Sequence, residues 1–66
     1  MTYWNPQIPA REMSDKLWWM LVVGECKRRG FAKWFYADRE TWIEEHKNRL
    51  GERPLEAIET NLDALQ

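Results

Sequence analysis

Leu17-Trp18-Trp19-Met20-Leu21-Val22-Val23 decides how this 66-residue chain folds. Seven consecutive apolar residues are too many for the stripe of an ordinary surface helix, which fills three or four positions in two turns. They are too few to cross a bilayer, which takes about 20, and Gly24 and Glu25 follow at once. The run therefore reads as the middle of a helix that is apolar nearly all round, with contacts on more than one side. Helical spacing places Ala10, Met13, Leu17, Met20, Leu21 and Gly24 on one face, the main stripe. Trp19, Val22, Val23 and Cys26 fall elsewhere on the cylinder. The helix starts at Pro9, which is tolerated at a first helical position, or at Ser14, a good N-cap. It ends near Arg29, where Lys27-Arg28-Arg29 complement the macrodipole and Gly30 can take the left-handed position.

Downstream, Asp38 predicts the cap of a second helix from about Arg39 to Leu50, stopped by Gly51. Its inner face is Trp42, Ile43, His46 and Leu50, and its outer face carries Glu40, Glu44, Lys47 and Asn48. Pro54 opens a third helix, to about Leu65, with Leu55, Ile58, Leu62 and Leu65 inward. Phe31-Ala32-Lys33-Trp34-Phe35-Tyr36 only partly alternates. It reads as a short extended segment that could pair with Thr2-Tyr3-Trp4, with a helical turn as the competing reading. The expected fold is mainly α: one small domain over residues 1–66 with three helices packed around the first, and a short extended segment near residues 2–4 and 31–36.

A chain of this length buries only about 60% of its unfolded surface, so its core is thin. Nine aromatics, five of them tryptophan, are one remedy, each removing roughly 150–250 Å² from water when buried. Self-association is another. A single cysteine, Cys26, precludes an internal disulfide and points to a reducing compartment. The first residues lack the charged and apolar pattern of a secretory signal. With no apolar stretch of bilayer length, the expectation is a soluble cytoplasmic protein without membrane contact.

Net charge is −1, but it is unevenly distributed. Residues 1–37 carry six cations against three acids, and residues 38–66 eight acids against four cations. Glu56, Glu59 and Asp63 line one side of the last helix, and Glu40, Glu44, Glu45 and Glu52 extend the row if the last two helices form a hairpin. No basic residue follows Pro54, so pairs within that helix cannot neutralise it. Such a row could dock on a basic groove of another protein, or could simply keep a small protein soluble. Lys27, Arg28, Arg29 and Lys33 beside Trp34 form the opposite candidate, a basic and aromatic cluster suited to phosphates and stacked bases. Its bland reading is a capped helix end beside core rings. Five tryptophans are hard to bury in so short a chain. Trp19, opposite the main stripe, is the expected exposed one and hence a candidate hot spot.

His46 has no second soft ligand at useful spacing, and Cys26 reads as a buried, inert thiol, so neither a metal nor a cofactor is expected. No nucleophile–base pair, phosphate loop or room for a small-molecule pocket is evident, which points away from an enzyme. The leading expectation is a small non-catalytic protein-binding module. It docks on a larger host protein or complex with a basic surface, through Glu40, Glu44, Glu56, Glu59, Asp63 and Trp19. In size, and in the use of carboxylates to mimic nucleic acid, such an object is similar to small phage-borne inhibitors, anti-CRISPR proteins among them. This likeness is one of class and rests on no motif. The alternatives are a nucleic-acid-binding module using the basic cluster, and a homodimer or larger homo-oligomer built on the first helix.

Overall fold

The structure is a computed structural model and describes residues 9–65. A 3₁₀ turn over Ala10–Glu12 leads into α1, Asp15–Arg28. Ser14 caps α1 by accepting from the Leu17 amide at 3.1 Å. At its other end Gly30, at φ 80°, lets the Phe31 amide reach the Cys26 carbonyl at 2.9 Å and the Gly30 amide reach that of Lys27 at 3.1 Å. This paired closure satisfies carbonyls that the helix leaves open.

Residues 31–36, expected extended, contain a 3₁₀ turn over Lys33–Tyr36. Phe31, Phe35 and Tyr36 pack individually onto the core rather than alternating across a sheet. Phe31 and Phe35 stack at 4.6 Å, and Phe35 lies edge-on to Trp42 at 5.7 Å. The suggested partner strand at residues 2–4 lies outside the described residues. Among the described residues there is no strand.

The second helix, α2, starts as an α-helical turn at Arg39–Trp42 and continues as a π-helix over Ile43–Arg49. Asp38 caps it through the Thr41 amide and hydroxyl. The wider winding changes which side chains face inward. Trp42 and Lys47, five apart, both turn in, and Leu50, expected in the core, is exposed. The last helix, α3, spans Pro54–Ala64, with Glu56 reaching back to the Arg53 amide at 2.8 Å. Ala57 and Ile58 are fully buried and Leu62 partly so, but Leu55 and Leu65, also expected inward, are exposed.

The inward face of α1 is not the expected main stripe. Trp18, Val22 and Cys26 are completely buried, whereas Met20 is 56% exposed. A run that is apolar all round offers two solutions, and the fold buries the one carrying the larger ring. Trp18 also gains a polar partner, since its indole N–H donates to the Glu52 carbonyl at 3.0 Å. Buried indole thus satisfies its only donor on the loop between α2 and α3.

Two cations lock the N-terminal turn to α2. Arg11 donates to the carbonyls of Asn48 and Arg49 at 2.7 and 2.9 Å, closing the end of the π-helix. Its guanidinium lies where a side chain on Gly51 would stand, and Gly51 is at φ 65°. Lys47, expected outside, is buried. Its ammonium meets the Asp15 carboxylate at 3.0 Å and the Arg11 carbonyl at 3.3 Å.

Two sets of variants test this frame by urea denaturation. Trp18→Phe keeps a ring but strands the Glu52 carbonyl and opens a void, with an expected cost of about 1–3 kcal/mol. An unchanged midpoint would show that Trp18 is dispensable. Lys47→Met, which removes the buried charge and keeps the stem, is expected to change stability less than Asp15→Ala, which leaves the ammonium unpaired. The reverse order would overturn the reading of this pair.

Candidate functional site

The charge split of the sequence is partly closed within the fold. Arg29, at the C-terminal cap of α1, pairs with Glu25 at 3.0 Å and reaches across to Glu59 on α3 at 3.1 Å. These partners, Glu25 first, hold its guanidinium above its ordinary pKa. Arg28 pairs with Glu25 at 3.0 Å. Both candidate surfaces are therefore reduced. The basic cluster keeps Lys27 and Lys33 as exposed cations without an ion pair among the described residues. The acidic row has Glu59 engaged, Glu56 turned onto the Arg53 amide and Glu40 beside Arg39 at 3.2 Å. Glu45 pairs with Arg49 at 2.7 Å. Glu44 and Asp63 are exposed and make no ion pair among the described residues.

Trp19 is not the exposed tryptophan. It is half-buried, edge-on to Trp42 at 5.8 Å between ring centroids. Facing away from the main stripe turned it toward the core, because that stripe is itself the outer face. Among the described residues the exposed tryptophan is Trp34, which is 71% accessible. It stands on the 3₁₀ turn edge-on to Phe35 at 6.1 Å, and Phe35 leans on Trp42. A chain of rings thus runs from the core to a displayed indole. Helix periodicity misplaced Trp19 and gave Trp34 no position, since a 3₁₀ turn of four residues has no periodicity to read.

A second feature escaped sequence reasoning. Leu17, Met20, Leu21 and Gly24, read as the core stripe, line a shallow open groove of about 210 Å³ together with Glu25 and Arg28. One signal for it lay in the sequence. Continued by four residues the stripe meets Arg28, whereas Trp18-Val22-Cys26 stays apolar throughout.

His46 sits partly buried under the Trp42 ring at 5.4 Å. Its Nδ1 is 2.7 Å from Glu52 Oε1, and Glu52 also accepts from the Thr60 hydroxyl at 2.6 Å. The Asn61 amide nitrogen lies 2.9 Å from His46 Nε2 and also donates to the Ala57 carbonyl at 3.2 Å. Asn61 therefore donates to Nε2, and the ring hydrogen is on Nδ1, facing Glu52. All four polar groups are occupied in joining α2 to α3. No group of three or more metal-type ligands is assembled among the described residues. No helix among them is long and apolar enough to cross a membrane.

No family model matches this chain, no curated protein matches it, and no solved structure matches its fold.

Cys26 is fully buried in the core. Burial chiefly, helped by Glu25 and opposed by Arg29, pushes its thiol from 9.0 up to about 11. A thiol kept protonated by the fold contributes stability that is present below pH 9.0 and lost as pH rises toward 11. Cys26→Ala is expected to remove this component and flatten the fall in unfolding free energy over that window. An equally steep fall in the variant would disprove it.

Proposed function

We propose that this chain is a non-catalytic protein-binding module that uses Trp34 as its anchor. The supporting observation is the placement of that residue. In a chain whose core is thin, an indole left 71% accessible contributes little to folding. Large rings with few rotatable bonds are the side chains that carry binding energy at interface centres. Trp34 rests on Phe35 and so is held partly in place before any partner arrives, which lowers the ordering cost of association.

The wider surface bears on the kind of partner. Glu40, Glu44 and Asp63 are exposed on α2 and α3. They are the carboxylates that could steer the module to a basic surface, including one that normally holds nucleic-acid phosphates. The finer proposal is an inhibitor of a larger nucleic-acid-processing complex, and it rests on these residues and no longer on Glu59. The competing nucleic-acid-binding reading is weakened because Arg28 and Arg29 are engaged by Glu25 and Glu59. Such a module would act in the cytoplasm of its host.

Trp34→Ala is expected to leave the unfolding midpoint within about 0.5 kcal/mol of the parent. It is expected to weaken partner capture from host extract by at least about tenfold, as loss of a hot spot does. Equal capture by parent and variant would refute the anchor. Glu44→Lys with Asp63→Lys should weaken capture further at low salt. DNA or RNA retardation in a gel, steeply dependent on salt and lost with Lys27→Glu and Lys33→Glu, would replace this proposal with the nucleic-acid one.

A further inference from the structure

The outer face of α1 is a second surface, independent of Trp34. Leu17, Met20, Leu21 and Gly24 line its groove, and the opposite side of the same helix carries the buried Trp18, Val22 and Cys26. No described residue stands within 4 Å of where a side chain on Gly24 would project. The fold therefore does not require glycine there, although glycine in a helix interior costs about 0.5–1 kcal/mol relative to alanine. What glycine provides is an open floor for the groove, on which another backbone can approach closely.

One edge of this helix is cationic, while the charged residues that line the groove itself, Glu25 and Arg28, pair with each other. Lys16 and Lys27 are both exposed. They lie eleven residues apart, so they share one edge of the helix about 16 Å from each other. Met20 lies on that edge between them. Arg28 stands at the C-terminal end of the groove, with its side chain 76% exposed. The acids nearby are occupied, Glu25 by Arg28 and Arg29 and Asp15 by Lys47. This pattern discriminates between occupants. A second copy packed antiparallel across a two-fold axis sets the same edge against itself, bringing Lys16 toward the other copy's Lys27. A parallel copy sets this edge against the opposite edge of the groove, where Glu25 is already held by Arg28 and Arg29. The first arrangement places like charges together, and the second offers the lysines no free carboxylate.

From this charge pattern we infer that the outer face of α1 receives an amphipathic helix of a partner protein, with leucine-type residues in the groove and carboxylates along its flank. This is helix-in-groove recognition, with affinity from the apolar stripe and orientation from the charged edge.

The test uses the whole chain and two synthetic helical peptides with the same leucine stripe, one flanked by glutamates and the other by lysines. Amide resonances are followed by NMR at about 50 mM salt, where the screening length still spans the rim. The glutamate peptide is expected to shift Leu17, Met20, Leu21 and Gly24 and to bind at least about tenfold tighter than its twin. Met20→Glu, at an exposed position, should abolish those shifts without changing the helical CD signal. Lys16→Glu with Lys27→Glu should reverse the preference between the peptides. Four results would overturn the inference. They are equal affinity for the two peptides, shifts mapping elsewhere, concentration-dependent sedimentation abolished by Met20→Glu, and adsorption to phosphatidylserine vesicles through α1 without peptide binding. The first two leave the Trp34 proposal standing, since Trp34→Ala is read in a separate capture experiment.

Discussion

Enclosure of Trp18 is the constraint on which the rest of the fold depends. One fully buried indole on α1 reaches the backbone of the loop between α2 and α3, and so ties all three helices to a single side chain. Its position fixes the rotation of α1. With Trp18 inward, Val22 and Cys26 follow at intervals of four and bury beneath it, while Leu17, Met20 and Leu21 turn outward. The exposed apolar groove is therefore a direct consequence of the core. In a helix with apolar residues around its whole circumference, burying the larger ring on one side leaves another side facing water.

Electrostatics support the same arrangement. The sequence is basic in its first half and acidic in its second, a division that suggests two outward-facing surfaces. In the fold much of it is used internally. Arg29 bridges Glu25 and Glu59, and Lys47 reaches back to Asp15. Contacts of the first kind are exposed and contribute little each. In the second only the lysine is buried, against an exposed Asp15, and its hydrogen bonds to Arg11 and Asn48 help compensate the desolvated ammonium. Among the described residues, the charges left outside these contacts include Lys16 and Lys27 on α1, Lys33 on the 3₁₀ turn, Glu44 on α2 and Asp63 on α3.

Helix ends were the legible part of the fold. Ser14, Asp38, Gly30, Gly51 and Pro54 each do locally what their chemistry demands, so element boundaries could be placed to within a residue or two. Helix faces were less legible. For α1, periodicity allowed two stripes, and only the packing of Trp18 separates them. For α2, the reading assumed 3.6 residues per turn, and π winding moved Lys47 inward and Leu50 outward. Such winding follows from tertiary contacts, here the anchoring of Lys47 and of the Asn48 and Arg49 carbonyls by the N-terminal turn, and local propensity does not encode it. Residues 31–36 were ambiguous for a related reason, because aromatic content alone does not distinguish a strand from a turn whose rings pack separately. The site suffered most from these errors. Trp19, expected outside, is half-buried, and the residues of the groove were read as core.

The misread faces of α1 have a physical lesson for small aromatic-rich chains. Apolar residues serve both folding and binding, and sequence alone does not label which are which when both sets lie on one helix. Polar partners supply the label. Trp18 has a carbonyl to receive its N–H, and Cys26 lies where burial raises its thiol. The residues of the groove instead end against Arg28 and are flanked by Lys16 and Lys27, which make no ion pair among the described residues. An apolar stripe bounded by paired or satisfied groups belongs to the core. One flanked along an edge by exposed lysines outside any ion pair is shaped for something of the opposite sign, which makes that edge of α1, more than its apolar floor, informative about what fits there.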